Sequence, residues 1–199
     1  MAVGFDSTIA AARACYICKA HLPQGVRPVF QLSPAARILV VGQAPGRRVH
    51  ATGIPFNDPS GDRLRGWMGI DRSVFYDVTR IAILPMGFCY PGTGKSGDLP
   101  PRPECAPKWR QPLLDFLPDI QLTLAIGQYA QDWHLGGQQK ATLTETVRNW
   151  KDYWPKVLAL PHPSPRNNLW LKKNPWFEDE ILPVLKDRVS QLLTLPKPA

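Results

Sequence analysis

The sequence lacks any apolar run that approaches the roughly 18 residues of a membrane span. Its first residues, MAVGFDSTIAAARAC, also lack the basic start and the long apolar centre of a signal peptide. These two absences lead us to expect a cytoplasmic protein without a membrane partner. Thiols stay reduced in the cytoplasm, so we do not expect disulfides among the four cysteines of the chain.

Acidic residues are also few, because the chain has 16 Asp and Glu but 24 Lys and Arg. The resulting net charge is +8. A basic surface binds polyanions because their condensed counterions are released, and this favours nucleic acid as the partner. Charge alone leaves open the alternative of a generic basic protein. The C-terminal helical segment mixes both signs, which argues against a basic helix on a membrane surface.

The chain has neither an internal repeat nor an interdomain linker, so we expect a single domain over residues 1–199. Four short apolar runs predict buried strands over residues 36–42, 80–87, 120–127 and 156–163. Helical patterns follow or separate them over residues 60–70, 107–117, 142–154 and about 175–193. Ser60 and Thr142 are the expected N-caps of two of these helices.

The alternation of strands and helices predicts an α/β fold, a three-layer α/β/α sandwich around a central, mostly parallel sheet. In such sheets the functional residues gather at the carboxyl ends of the strands. Here those ends carry GQAPG, PMGFCYPG, GQYAQ and PHPSPRNN, which are rich in glycine, proline and polar residues. We therefore expect the functional site at this edge of the sheet.

A nucleotide-binding loop is missing, although CYPGTGKSG resembles one at first sight. The Walker motif requires a glycine five positions before its Gly-Lys-Ser/Thr, and Cys89 occupies that position. The following GDLPPRP also prevents a helix from starting there. The stretch is therefore interpreted as a flexible surface loop, and GQAPG likewise lacks the spacing of a dinucleotide-binding fingerprint.

The four cysteines form two separated pairs, Cys15 with Cys18 and Cys89 with Cys105. A C-x2-C pair places two thiolates within one turn, which suits a metal ion or a cluster. Ordinary free thiols are the alternative interpretation. The spacing alone does not distinguish zinc from iron–sulfur.

Several motifs occur in a fixed order along residues 12–190: an N-terminal CxxC, a strand that ends in GQAPG, then GIPF, DPSG, the second cysteine pair, and HPSPRN. In this order they resemble the uracil-DNA glycosylase superfamily, nearest its iron–sulfur branches, families four and five. The resemblance implies a [4Fe–4S] cluster on the four cysteines, with zinc as the lesser possibility. It also implies DNA that contains uracil or another damaged base as the partner, and a monomeric protein.

The resemblance also implies roles for residues of the pocket, which must hold a base that has been flipped out of the helix. Phe56 would stack on the base, and His162 would donate a hydrogen bond to a uracil carbonyl oxygen. Ser164 belongs to a tight turn that would press on the DNA backbone. Arg166 and Asn167 would contact phosphate or fill the space that the base vacates.

The catalytic acid is where the sequence departs from the family pattern. Family four carries Glu at the position of Gln43, and family one carries Asp at the position of Ala44. Family five uses an Asp in a downstream turn, and this chain offers Asp58 at nearly that place. We predict Asp58 as the catalytic carboxylate, supported by Gln43. The alternative is that Asp58 only caps the following helix.

A second departure concerns reading of the base, because Pro85 stands where the superfamily usually has a uracil-binding Asn. Substrate binding then falls to Gln43, Ala44 and Asn57, with backbone amides near Gln43 and Met86. This opens the specificity to other deaminated or oxidised bases.

The resulting prediction is a monofunctional DNA glycosylase of base excision repair, because no lysine lies in a motif that suggests Schiff-base chemistry. Two alternatives remain open. One is a catalytically weak binder of uracil-DNA or abasic DNA, and the other is an electron-transfer iron–sulfur protein.

Overall fold

The fold is built around a four-stranded parallel sheet. A computed structural model describes residues 4–95 and 97–195 of the chain. The strands are β1 (Ile38–Val41), β2 (Ile81–Ile83), β3 (Thr93–Gly94), β4 (Gly97–Asp98), β5 (Leu122–Ile126) and β6 (Val157–Leu160). The main sheet has the order β2-β1-β5-β6, and β3 and β4 form a separate antiparallel hairpin.

Nine α-helices in the described ranges connect and cover these strands. They are α1 (Phe5–Arg13), α2 (Arg47–Thr52), α3 (Pro59–Met68), α4 (Arg72–Phe75), α5 (Cys105–Leu114), α6 (Gln128–Leu135), α7 (Leu143–Arg148), α8 (Asn168–Lys173) and α9 (Leu182–Thr194). A π-helical turn at Phe177–Ile181 leads into α9, and 3-10 turns lie at Lys19–His21, Trp150–Asp152 and Pro165–Asn167. No helix of the described residues is both long and apolar enough to cross a membrane.

Helices pack on both faces of the sheet. On one face Leu64 of α3 and Leu185 of α9 pack with Ile38 and Leu124 of the strands. On the other face, residues of α1 and α5 pack with the alternate side chains of the same strands. Because both faces are covered, nearly every strand residue is buried, as expected for a parallel sheet. The predicted α/β fold with three layers is confirmed.

The elements are shorter than the apolar runs that predicted them. The run over 80–87 contributes only Ile81–Ile83 as strand, since the residues after it turn away into a loop. The capping box predicted at Thr142 is present, because its hydroxyl accepts from Glu145 N at 3.1 Å and the Glu145 carboxylate accepts from Thr142 N. The cap predicted at Ser60 is wrong. Proline is well suited to the first helical position, so α3 begins at Pro59 and Asp58 caps it instead.

A buried cation lies below the carboxyl end of β2. Arg110 of α5 is fully buried, and its Nη1 donates to Leu84 O at 2.9 Å and to Pro85 O at 3.1 Å. Its Nη2 donates to His134 Nε2 at 2.6 Å, so this histidine carries its proton on Nδ1. Burial, with the nearby charge of Arg110, lowers the pKa of His134 to about 3.

This pKa predicts a loss of stability in mild acid. Below pH 6.5 an unfolded chain protonates His134 while the folded chain does not, so stability is complete above pH 6.5 and falls toward pH 3. Between pH 6.5 and 5.5 this histidine alone removes about 1 kcal/mol, or about 2–4 °C in Tm. His134→Gln keeps an acceptor for Arg110. Between pH 6.5 and 5.5 its Tm should fall about 2–4 °C less than the Tm of the wild type. Parallel Tm curves for the two proteins would contradict the assignment.

Candidate active site

A cavity of about 430 Å³ opens at the carboxyl edge of the sheet. This volume lies in the range of small-molecule sites. Most of its walls come from four separate stretches of chain: residues 42–46, 55–60, 97–98 and 162–167. Three of the four are motifs that the sequence singled out, and the structure brings them together around one space.

Phe56 forms one wall, and its backbone is strained. It has φ of 53°, in the left-handed region that a phenylalanine rarely adopts. Its ring lies against Gly42, where a Cβ would be 3.2 Å from Phe56 Cζ, and packs edge-on to Phe75 at 6.2 Å. A Cβ at Gly61 would collide with the backbone oxygen of Phe56. The two glycines therefore let the ring face the cavity.

Two side chains behind the wall hold Phe56 in this conformation. The hydroxyl of Tyr76 donates to Pro55 O at 2.8 Å, and Arg65 Nη1 donates to Phe56 O at 3.4 Å. Arg65 is itself buried and pairs with Asp62. Backbone strain that the surroundings enforce in this way is typical of functional sites.

Asp58 both caps α3 and lines the cavity. Its Oδ1 accepts from Gly61 N at 2.9 Å, which is the structural role that the sequence left open. Within the described residues its other oxygen accepts no hydrogen bond, so that oxygen is available to a ligand in the cavity. The two interpretations of Asp58 are compatible.

His162 faces the same cavity in its neutral form. Ser164 N donates to His162 Nδ1 at 3.2 Å, so Nδ1 is the unprotonated nitrogen and Nε2 carries the hydrogen. Burial lowers the pKa of His162, and the negative charges of Asp58 and Asp98 oppose that shift. The site therefore holds a neutral imidazole that can donate from Nε2.

The loop after β6 is tied to α3 by hydrogen bonds from one arginine. Arg63 donates from Nη1 to Ser164 O at 3.1 Å and from Nη2 to Asn168 Oδ1 at 2.8 Å. Within the loop, Arg166 N donates to Ser164 Oγ at 3.2 Å, and Asn167 Nδ2 donates to His162 O at 2.8 Å. Asn167 thus stabilises the backbone of His162. No pattern in the sequence indicates this role of Arg63, because its hydrogen-bond partners lie about 100 residues away along the chain.

The stretch interpreted as a flexible surface loop includes most of the β3–β4 hairpin, whose end lines the cavity. Residues 93–98 form the β3–β4 hairpin, apart from Ser96, which lies outside the described residues. Gly97 and Asp98 line the cavity, and the guanidinium of Arg166 packs on Gly97. Gln43 Nε2 donates to Leu99 O at 2.9 Å and fixes the hairpin to the end of β1. That tie could not be seen in the sequence.

Not all of the groups predicted to read the base are available at the cavity. Ala44 and Pro85 line the cavity, but Asn57 does not, and its Oδ1 accepts from Arg72 Nη2 at 2.9 Å. The Met86 amide is also engaged, because it donates to Gly42 O at 2.9 Å. The backbone N–H groups of Gln43 and Ala44 have no acceptor among the described residues, so they are free for a ligand.

The four cysteines line a second, mostly apolar cavity together with Phe88 and Trp109. Phe88 N donates to Cys105 Sγ at 3.4 Å. Burial raises the pKa of Cys89 to about 11 and that of Cys105 to about 12. Within residues 4–95 and 97–195, no three Cys, His, Asp or Glu side chains converge closely enough to hold a metal ion.

One comparison with known proteins bears on the whole arrangement. The model of a family described as the uracil DNA glycosylase superfamily matches residues 29–186, which is most of the chain. The match contains every segment that lines the first cavity and includes Cys89 and Cys105, but it begins after Cys15 and Cys18. With the parallel sheet and the placement of the cavity at its carboxyl edge, this match shows that the chain belongs to the uracil-DNA glycosylase superfamily.

Proposed function

We propose that this protein is a monofunctional DNA glycosylase that removes uracil from DNA. Membership of the superfamily supports a DNA glycosylase in general. The observation that carries the finer proposal is the cavity, which combines an aromatic wall, a carboxylate and a neutral histidine donor in a space that fits one base.

In the proposed reaction the bond between C1′ of the sugar and N1 of uracil breaks, and its electron pair leaves with the base. The sugar gains positive charge, and water then adds to C1′ and releases a proton, so the products are free uracil and an abasic site. Catalysis requires negative charge near the sugar and hydrogen-bond donors near the departing base. Asp58 and His162 supply these two elements.

The other residues of the cavity bind and orient the substrate. Phe56 stacks on the flipped base, and the free amides of Gln43 and Ala44 donate to its carbonyl oxygens. Ser164 and Arg166 lie at the loop that meets the DNA backbone, where Arg166 contacts phosphate. The net charge of +8 favours a polyanionic substrate. Because no lysine is among the described residues that line the cavity, the proposed activity is base removal without cleavage of the DNA strand.

The direct test is a gel assay on a labelled oligonucleotide with one uracil, either single-stranded or paired with G or A. Abasic products are revealed by alkaline cleavage. Strand breaks that appear only after alkali are the expected result. Breaks without alkali would contradict the monofunctional activity. No excision of uracil would contradict uracil as the substrate, and parallel oligonucleotides with hypoxanthine or xanthine test the other lesions that Pro85 leaves open.

A binder of uracil-DNA or abasic DNA with weak catalysis is the second candidate. It is favoured by the engagement of Asp58 as a helix cap and by the amide of Gln43 at the usual acid position. Tight binding to abasic DNA without excision of any base would select this candidate.

We also propose that the four cysteines hold a [4Fe–4S] cluster. Their number, their shared cavity and the N–H donated to Cys105 fit such a group, and four thiolates would need its positive charge because burial raises the pKa of Cys89 and Cys105. The cluster would link the segment of Cys15 and Cys18 to Cys89 and Cys105, which lie before and after the β3–β4 hairpin.

This proposal predicts about four iron atoms per chain in protein purified without oxygen. Cys105→Ser should lower the iron content to less than half and reduce Tm, because one ligand and the link it makes are lost. Iron and zinc are measured together by elemental analysis. Zinc in place of iron in the wild type, or iron content unchanged in the variant, would contradict the cluster.

A further inference from the structure

The β3–β4 hairpin brings a second carboxylate into the candidate active site. Asp98 pairs with Thr93 in the hairpin and lines the cavity that Asp58 and His162 also line. Its Oδ2 lies 3.3 Å from the position that a Cβ on Gly46 would occupy. The carboxylate therefore lies close to Gly46, at the end of the GQAPG motif.

The backbone around Asp98 is held in place from both sides. Leu99 N donates to Gly92 O at 2.8 Å across the base of the hairpin, and Leu99 O accepts from Gln43 Nε2 at 2.9 Å. Arg166 packs on Gly97, the residue before Asp98. The hairpin backbone that carries Asp98 is therefore held by contacts to two other walls of the cavity.

The Asp98 carboxylate has no hydrogen-bond or ion-pair partner among the described residues. Asp58, by contrast, accepts a hydrogen bond from Gly61 N with one of its carboxylate oxygens. The charge of Asp98 nevertheless acts within the cavity. Together with the charge of Asp58, it opposes the lowering of the His162 pKa by burial. Two negative charges thus face one small space.

Negative charge at this place works against DNA binding. Asp98 is exposed at the mouth of the cavity, beside the loop whose Arg166 faces the DNA backbone, and phosphates would be repelled by it. The sugar of a flipped base stays linked to the DNA outside the cavity, so it lies between a base stacked on Phe56 and the exposed side of the cavity, where Asp98 lies. The sugar is the part of the substrate that becomes positive in the transition state, and a carboxylate there is stabilising.

We propose that Asp98 is a second catalytic carboxylate, which stabilises the positive charge that develops on the deoxyribose. This inference rests on the proposed glycosylase function and deepens it. In this arrangement Asp58 and Asp98 flank the sugar from α3 and from the hairpin, and Gln43 serves to position the hairpin.

Single-turnover excision by Asp98→Asn tests the proposal. The rate of base release should fall about tenfold or more, whereas binding of undamaged DNA should stay equal or become tighter, because a repulsive charge is gone. Asp132→Asn, which removes the same charge from α6 outside the cavity, should change neither quantity. An unchanged or faster excision rate in Asp98→Asn would overturn the proposal.

A binding measurement separates this proposal from the proposed function. Duplexes with a cationic pyrrolidine analogue of the abasic sugar are compared with duplexes that carry the neutral tetrahydrofuran analogue. The wild type should prefer the cationic analogue about tenfold, and Asp98→Asn should lose most of that preference. This result would support Asp98 even if the wild type excised no uracil. The same preference in both proteins, or none in the wild type, would overturn it.

Discussion

Asp58→Asn is expected to slow uracil release by about 10²–10⁴-fold, the contribution typical of a general base or charge-stabilising carboxylate. The substitution removes the charge that faces the cavity and keeps the shape of the side chain. Its amide oxygen can still accept from Gly61 N, so α3 keeps its cap and the fold should be retained. The loss should appear in the single-turnover rate and leave DNA binding nearly unchanged.

Asp71→Asn is the matched control for this variant. Asp71 caps α4 in the same way, since its Oδ1 accepts from Val74 N at 2.8 Å, but it lies outside the cavity. We expect full activity and little change in Tm. Full activity in Asp58→Asn would be compatible with a glycosylase but would contradict Asp58 as its catalytic carboxylate.

His162→Ala is expected to reduce the excision rate by about 10²–10³-fold, the usual cost of losing a donor to developing negative charge. The neutral imidazole donates from Nε2, and alanine offers no replacement. Because burial lowers the pKa of His162, the wild-type rate should show no step from this histidine between pH 8 and 6.5. The experiment is a pH series of single-turnover rates.

His134→Gln provides the control, because it alters a partly buried histidine that lies outside the cavity. Its excision rate at pH 7.5 should match the wild type. His162→Gln, which restores an N–H donor, should recover part of the activity that alanine loses. Equal rates in wild type and His162→Ala would contradict the role of the histidine, and a rate step near pH 6.5 would contradict its lowered pKa.

Much of the fold could be predicted from the sequence because buried parallel strands are nearly all apolar. The runs over residues 36–42 and 120–127 identified β1 and β5 in this way. Their ends were predicted less well, since the apolar residues after Ile83 continue into a loop that is itself buried. The helix start at Pro59 was missed because Ser60 is as good a cap in isolation as Asp58.

The candidate site was predicted as far as its motifs extend. Phe56, Asp58, His162 and Ser164 all line the cavity, and each belongs to one of the short motifs GIPF, NDPSG and HPSPRN. Asn57, one residue away from two of them, points instead to Arg72. Adjacent residues in an irregular turn face different directions, and the sequence carries no period from which to assign them.

The α/β class, the order of the strands along the chain, and the chemistry of GQAPG, NDPSG and HPSPRN can all be inferred without a structure. Three features become visible only in the folded chain: Asp98 lines the same cavity, Arg63 links α3 to the loop after β6, and Asp58 is both a cap and a cavity residue. These features depend on contacts between residues that are distant along the chain. Propensity and periodicity act over a few residues, whereas the hairpin and Arg63 reach the cavity through contacts between segments about 50 to 100 residues apart.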